Sequence, residues 1–160
     1  IGADQWNQET MNDIITQTTH WFELAHGDAR ASKITVQLGV HFEEVSEMMD
    51  ALTTKDKTAH DLLRKAQKAV SDLADHLKRN SKTTFVYPEN HDLLLDALCD
   101  QAVTLTGVAY DFGYKFPQAL REVNRSNFSK FVNGAPVFDE NGKIKKGPDY
   151  TPPNLVSYVN

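Results

Sequence analysis

The segment HFEEVSEMMD (residues 41–50) carries three glutamates in the pattern E-E-x-x-E. The hydrophobic spacing around it predicts a helix from about Ile34 to Leu52. At about 100° per residue, the apolar residues form one stripe and the glutamates point away from it. Val36 and Val40 share the glutamates' side, so the helix is apolar on nearly every face and is predicted to be buried. The residues of the stripe are Leu38, Phe42, Val45, Met49 and Leu52.

The three glutamates of this helix, Glu43, Glu44 and Glu47, are candidate metal ligands. Carboxylates that converge in a partly buried place repel one another and lose hydration, which is tolerated when they protonate or bind cations. Hard oxygen ligands without cysteine or several histidines favour Mg²⁺ or Mn²⁺ over zinc. The motif alone is common on helix surfaces, so a solvated acidic face is the alternative.

A second acidic pair lies in LLLDALCDQAVTLTGVAY (residues 93–110), where Asp96 and Asp100 are the only charges. Residues four apart share one helical face at about 6 Å, and like charges there destabilise each other. The two carboxylates need a compensating positive charge. It can come from a Lys or Arg on a neighbouring helix or from a metal ion shared with the three glutamates, and the presence of the glutamate cluster favours the metal hypothesis. Gln101, Thr104 and Thr106 make the segment too polar for a membrane span and indicate the central helix of a soluble bundle.

The remaining pattern predicts an all-α protein, a bundle of four to five helices over residues 7–132. The other helices are predicted at Asn7–His26, at Lys55–Asn80 and from Pro117 to about Val132. Residues 136–144 predict a short β-hairpin with its tight turn at Asn141-Gly142, and a proline-rich extended tail follows. Trp21 and Phe22 are predicted core residues, whereas Asp72 and Asp75 are predicted on the surface.

Composition and charge narrow the class of protein. A length of 160 residues, 40% hydrophobic and 24% charged, is typical of one soluble domain spanning residues 1–160. The formal charge of −5 argues against binding to a nucleic-acid polymer. The single Cys99 forms no intrachain disulfide, is predicted to be a core residue, and is consistent with a cytoplasmic location.

Linked segments of the chain resemble a known family. The E-E-x-x-E helix, DALCDQAVTLTGVAYDFG (96–113), EVNRSNFSKF (122–131) and KKGPDYTPPNL (145–155) resemble the all-α nucleoside triphosphate pyrophosphohydrolases, above all the MazG-like and phosphoribosyl-ATP pyrophosphohydrolase-like members. The resemblance covers about residues 34–155. One departure is that the family's second motif is usually E-x-x-D, and Ala97 stands where its glutamate would precede Asp100. Asp96, on the same face, can substitute.

The resemblance implies Mg²⁺-dependent hydrolysis, with Mn²⁺ as the substitute, of a nucleotide between its α- and β-phosphates. Together with the chemistry of the residues, it predicts that Glu44 is the base and that the C-terminal segments bind the phosphates and the sugar or base. It also implies a homodimer or homotetramer. The predicted metal ligands are Glu43, Glu44, Glu47, Asp96 and Asp100, and the predicted substrate-binding residues are Asn124, Asn127, Lys130, Lys146 and Tyr150.

Two other functions are compatible with parts of the sequence. A non-catalytic helical interaction protein that retains the metal or nucleotide site is favoured by the missing E-x-x-D glutamate. A di-iron carboxylate bundle needs the Glu-x-x-His motif on two helices, and only Glu23-Leu-Ala-His26 has this spacing, which disfavours it.

Overall fold

The computed structural model describes residues 13–83, 88–140 and 144–159. These residues are predominantly helical, with five α-helices and no strand, so the all-α prediction is confirmed. The helices are α1 (Ile14–His26), α2 (Ile34–Ala51), α3 (Lys57–Arg79), α4 (His91–Asp111) and α5 (Phe116–Phe128). Short 3₁₀ turns cover Gly27–Lys33, Pro88–Asn90 and Val156–Tyr158.

The chain divides into two compact units. One unit, here called the α2–α3 unit, is formed by the described residues of 28–88. The other, here called the α5 unit, combines the described residues of 1–27 and 89–160 and so contains α1, α4, α5 and the tail. The prediction of a single domain over residues 1–160 stays a prediction.

Local side-chain chemistry fixes where several helices begin and end. Asp13 Oδ2 accepts a hydrogen bond from the Thr16 backbone N–H at 2.8 Å, and Asp56 Oδ1 accepts one from the Ala59 N–H at 2.6 Å. These aspartates satisfy free donors of the first turns of α1 and α3. α1 ends at His26, and the next residue, Gly27, has φ of 50° and caps the helix by donating its N–H to the Glu23 carbonyl.

α5 ends at Phe128 and not at the predicted Val132. Asn133 and Gly134 both have positive φ, 53° and 77°, and form a tight turn in which the backbones of Val132 and Ala135 bond each other at 2.9 and 3.1 Å. This turn needs extended backbone before it, so the helix must stop earlier.

Helices α2 and α3 run antiparallel and approach closely at Gly39. A Cβ atom at Gly39 would lie 2.9 Å from the Ala74 carbonyl oxygen and 3.0 Å from both the Cγ and the backbone nitrogen of Lys78. Further along, the buried Ser46 accepts a hydrogen bond from Gln67 Nε2 at 3.1 Å. Arg64 donates to the carbonyls of Met49 and Leu52 and so caps the C-terminus of α2.

The predicted C-terminal β-hairpin is not shown. Within the described residues, an isolated antiparallel bridge joins Phe138 and Ile144, and the Lys145 N–H donates to the Val137 carbonyl at 2.8 Å. The predicted turn at Asn141-Gly142 lies outside the described residues, as does the predicted start of the first helix at Asn7.

In the α5 unit, α5 packs against α1 and the tail. Trp21 of α1 is half-buried and stacks on the buried Phe131 with ring centroids 5.9 Å apart, and Phe22 meets the Trp21 edge at 5.0 Å. The Lys115 N–H donates to the Tyr158 carbonyl at 2.9 Å, which holds the last 3₁₀ turn near the start of α5.

α4 is exposed along most of its length, and Ala109 is its one buried residue. Cys99 is therefore exposed, and its prediction as a core residue is wrong, because α4 turns no face into the core at that position. Although the sequence predicts a segment too polar for a membrane span, α4 is long and apolar enough to cross a membrane by length and composition, a test that core helices of soluble proteins also pass.

Replacing Gly39 by alanine is expected to destabilise the protein by about 1–3 kcal/mol, because the new Cβ would meet backbone atoms of α3. The control is Gly107→Ala on α4, where a Cβ would meet nothing within 4 Å and where alanine gains up to about 1 kcal/mol in helix propensity. Urea denaturation measures both. Equal stability changes in the two variants would contradict the close approach at Gly39.

Candidate functional site

One face of α2 and one face of α3 form a groove of about 190 Å³, here called the acidic groove. Glu43, Glu47 and Asp50 line it from α2, and their spacing of i, i+4 and i+7 places them on one helical face. Asp75 lines it from α3. The other lining residues are Ser46, Gln67, Ser71, Ala74 and Lys78.

Lys78 lies within this groove and pairs with two of its carboxylates. Its Nζ is 2.6 Å from Glu43 Oε1 and 3.3 Å from Asp75 Oδ1. The hydrogen bond to Glu43, and then the one to Asp75, raise the pKa of the Lys78 ammonium against the opposing effect of burial. Lys78 is therefore charged at neutral pH and cancels part of the groove's negative charge.

Two arginines neutralise acidic residues at the ends of the groove. Arg64 Nη1 lies 2.7 Å from Asp50 Oδ1, and Arg79 Nη2 lies 3.2 Å from Asp75 Oδ2. Among the described residues, Glu47 is the one lining carboxylate without an ion pair to a basic side chain. The groove is thus acidic by composition but largely compensated by the protein's own cations.

The glutamates of α2 are less buried than the sequence predicts. Glu43 retains 43% exposure of its side chain, and Glu44 and Glu47 are exposed. For Glu43 and Glu47 the reason is that the groove between α2 and α3 is open and mostly polar: α3 lines it with Gln67, Ser71, Asp75 and Lys78, and Ala74 is its one apolar contribution. Glu43 and Glu47 share the groove, whereas Glu44 does not line it, and the role of Glu44 as a base stays a prediction.

The predicted ligands Asp96 and Asp100 lie one turn apart on the exposed surface of α4. They belong to the α5 unit, while the glutamates belong to the α2–α3 unit. Within the described residues of either unit, no three His, Cys, Asp or Glu side chains are grouped so that they could hold a metal ion. A metal site shared by both acidic sets stays a prediction.

The donor atoms of the acidic groove suit a hard divalent cation. All its charged acceptors are carboxylate oxygens, and the lining contains no histidine or cysteine. In the present arrangement Glu43 is paired with Lys78, and no three carboxylates of the described residues are grouped around one point. The lining residues therefore match Mg²⁺ or Mn²⁺ by the type of their donor atoms and not by their geometry.

Asn124, a predicted substrate-binding residue, is 4% exposed and contacts α1. Its Nδ2 donates to the Ile14 carbonyl at 3.2 Å, and its Oδ1 accepts from the Thr18 hydroxyl at 3.1 Å. Both ends of the amide are thus used to join α5 to α1.

The other predicted substrate-binding residues form two pairs at one end of the α5 unit. Asn127 Oδ1 accepts from Lys130 Nζ at 2.8 Å, and Lys146 Nζ lies 4.7 Å from the centre of the Tyr150 ring. The Gly147 N–H donates to the Lys130 carbonyl at 3.2 Å, so the backbone holds the two pairs near each other. We call these four residues, Asn127, Lys130, Lys146 and Tyr150, the cationic cluster.

A clasp between α5 and the tail positions part of this cluster. The Glu122 carboxylate receives two hydrogen bonds of 2.7 Å from Arg125 and one of 3.0 Å from the Asn154 N–H. These bonds, led by those from Arg125, lower the pKa of Glu122 to about 2. Arg125 also donates to the hydroxyl of Thr151 and to the Pro152 carbonyl, which ties the tail to α5.

Sequence reasoning missed several residues of these sites. Asp50 extends the Glu43 and Glu47 face, and its i+7 spacing is a signal that could have found it. The sequence predicts Asp75 on the surface, and its side chain is indeed 55% exposed. From there it also lines the groove. Lys78 could not be found from local spacing, because its place depends on the register between α2 and α3.

Comparisons with known protein families, with curated proteins and with solved structures find no match to this chain.

The Glu122 clasp is expected to stabilise the fold at neutral pH and to weaken in acid. The pKa of Glu122 is about 2 in the folded protein and ordinarily 4.5. The clasp therefore makes its full contribution to the stability of the fold above about pH 4.5 and loses it as the pH falls toward 2. Denaturation of wild type and Glu122→Gln should give a stability difference that is constant above pH 4.5 and shrinks below it. Arg125→Met should remove the same pH dependence, and a difference that is independent of pH down to 2 would contradict the clasp.

Proposed function

We propose that this protein is an Mg²⁺-dependent nucleoside triphosphate pyrophosphohydrolase, for which Mn²⁺ can substitute. It cleaves the bond between the α- and β-phosphates to give a nucleoside monophosphate and pyrophosphate, and clears unwanted nucleotides from the pool. The observation that supports this best is the acidic groove, where Glu43, Glu47 and Asp50 share one helical face. The sequence resemblance supplies the reaction.

The chemistry of the groove suits this reaction. When bound, Mg²⁺ neutralises phosphate oxygens, stabilises developing negative charge and lowers the pKa of a coordinated water. In the proposal, Glu43, Glu44 and Glu47 hold the cation, and Glu44, which is exposed and one residue from the groove lining, orients and deprotonates the attacking water. The assignment of Asp96 and Asp100 to the same cation rests on the sequence resemblance.

The cationic cluster is the proposed binding surface for the anionic part of the substrate. Lys130 and Lys146 provide charge for phosphate oxygens, Asn127 provides an amide, and Tyr150 provides an aromatic face and a hydroxyl for the sugar or base. Support comes from the short distances within the two pairs and from the backbone bond between Gly147 and Lys130. Asn124 contributes by holding α5 on α1.

We further propose that the protein is a helical bundle with a short C-terminal β-hairpin, forms a homodimer or homotetramer, and works in the cytoplasm. The apolar exposure of α4 supports an oligomer. Leu93, Leu95 and Val103 are each more than 60% exposed, and exposed apolar side chains in such number on one helix are a common feature of surfaces that bind other chains.

A non-catalytic helical interaction protein is the second candidate function. The same exposed side chains of α4 favour it, because an apolar helix surface binds partner helices without any chemistry. Ala97, where the family has a glutamate, is compatible with lost turnover. Release of pyrophosphate from a nucleotide would support the enzyme, and the absence of release would support the interaction protein.

The expected activity is the release of pyrophosphate from at least one nucleoside triphosphate in a panel of ribo- and deoxyribonucleotides with Mg²⁺. Glu47→Gln and Asp100→Asn should each lower kcat by about 100-fold or more, because each removes a charged ligand or base. Coupled phosphate detection and chromatography of the monophosphate product measure the reaction, and a chelator should abolish it.

The matched control is Asp72→Asn. Asp72 is an exposed carboxylate on α3 that pairs with Lys68 at 2.8 Å and does not line the acidic groove, so its loss should leave kcat unchanged. Absence of pyrophosphate release from every nucleotide, with Mg²⁺ or Mn²⁺, would overturn the proposal and favour the interaction protein.

Sedimentation equilibrium should give a mass that is a multiple of the 18.0 kDa chain. Leu95→Glu should weaken the assembly by about tenfold or more, because it places a charge in the apolar interface. Leu62→Glu on α3, where the leucine is equally exposed, is the control and should leave the mass unchanged. A monomeric wild type would contradict the proposed oligomer.

A further inference from the structure

The tight turn after α5 holds the one residue other than glycine that has positive φ among the described residues. φ is 53° at Asn133 and 77° at Gly134, and the backbones of Val132 and Ala135 bond each other across the turn. Two consecutive residues with positive φ are typical of a type I′ turn, for which Asn-Gly is a preferred pair. The backbone geometry therefore explains why this dipeptide stands here.

The same dipeptide brings two groups together that can react with each other. The Asn133 carboxamide and the Gly134 peptide nitrogen are neighbours in the chain, and both residues are exposed to water. The Gly134 N–H donates to no acceptor among the described residues, and a Cβ at Gly134 would meet nothing within 4 Å. Because glycine has no side chain to shield it, this peptide nitrogen is open to attack the neighbouring carboxamide carbon.

We propose that Asn133 is a site of spontaneous deamidation. The Gly134 nitrogen loses its proton to hydroxide and attacks Asn133 Cγ, which closes a cyclic succinimide. The bond from Cγ to Nδ2 breaks, and this nitrogen takes a proton from water and leaves as ammonia. Water then opens the ring at either carbonyl and leaves aspartate or isoaspartate. One water is consumed for each ammonia released, and nothing is oxidised or reduced.

The turn is tied to the packing of the α5 unit, so a change in its backbone has consequences there. Phe131, two residues before Asn133, is 8% exposed and stacks on Trp21 with ring centroids 5.9 Å apart. Val132 packs on the tail, since a Cβ at Gly147 would lie 2.9 Å from Val132 Cγ2. A shift of the turn is therefore passed on to the Trp21 ring and to the tail.

Deamidation produces such a shift. Isoaspartate continues the chain through its side-chain carbonyl and so adds a carbon atom to the backbone of the turn. The two hydrogen bonds between Val132 and Ala135 cannot then both keep their lengths and angles. Either product also adds a carboxylate three residues after Lys130 of the cationic cluster. The modification thus loosens the stacking of Phe131 on Trp21 and lowers the positive charge of this part of the chain.

The test is incubation of the folded full chain at neutral and at alkaline pH, followed by peptide mapping with mass spectrometry that distinguishes aspartate from isoaspartate. Asn80 and Asn154 are internal controls, because both are exposed but precede serine and leucine. Conversion at Asn133 should be about tenfold or more faster than at either control, since their peptide nitrogens are shielded by the following side chain. It should be faster at alkaline pH, because the attacking nitrogen must first lose its proton.

Tryptophan fluorescence tests the structural consequence. Trp6→Phe leaves Trp21 as the one tryptophan of the sequence, and in this background the Trp21 emission should move to longer wavelength as Asn133 is converted. Asn133→Gly keeps a residue that adopts positive φ but removes the carboxamide, so it should abolish the change. Asn141→Gly removes the other Asn-Gly pair of the sequence and should leave both the conversion at Asn133 and the change in emission in place.

The results can overturn the inference at two points. Conversion at Asn133 that is no faster than at Asn80 and Asn154 would show that the turn is not a deamidation site. Conversion that leaves the Trp21 emission unchanged, or a change in emission that persists in Asn133→Gly, would overturn the link between the turn and the packing of the α5 unit.

Discussion

The close approach of α2 and α3 at Gly39 is the constraint on which the α2–α3 unit depends. A glycine inside a helix costs about 1 kcal/mol relative to alanine, and here it lets the backbone of α3 come within contact distance. That contact sets the register of the pair. The same register places Ser46 beside Gln67 and Asp50 beside Arg64, and it brings the Lys78 ammonium to Glu43.

The electrostatics of the acidic groove follow from this register. Carboxylates at i and i+4 on one helix, such as Glu43 and Glu47, repel each other. α3 places the Lys78 ammonium against Glu43 and the Arg64 guanidinium against Asp50. Because the groove is open to water, each pair is worth little to stability. Such weakly held pairs can exchange partners, whereas a deeply buried pair would resist exchange.

The sequence predicted the helices well because periodicity and capping residues are local signals. The all-α fold and the face shared by Glu43 and Glu47 follow from the 3.6-residue repeat. The end of α5 was missed because the tight turn at Asn133-Gly134 reaches back to Val132. Lys78 and the exposure of Cys99 depend on how helices pack, and no local pattern encodes that.

The arrangement of the tail in the α5 unit depends on a different interaction, the Glu122 clasp. The hydrogen bonds that Glu122 accepts from Arg125 and Asn154 hold the tail along α5, and the tail carries Lys146 and Tyr150. A protein with a net charge of −5 thus keeps a local surface of positive charge and aromatic rings.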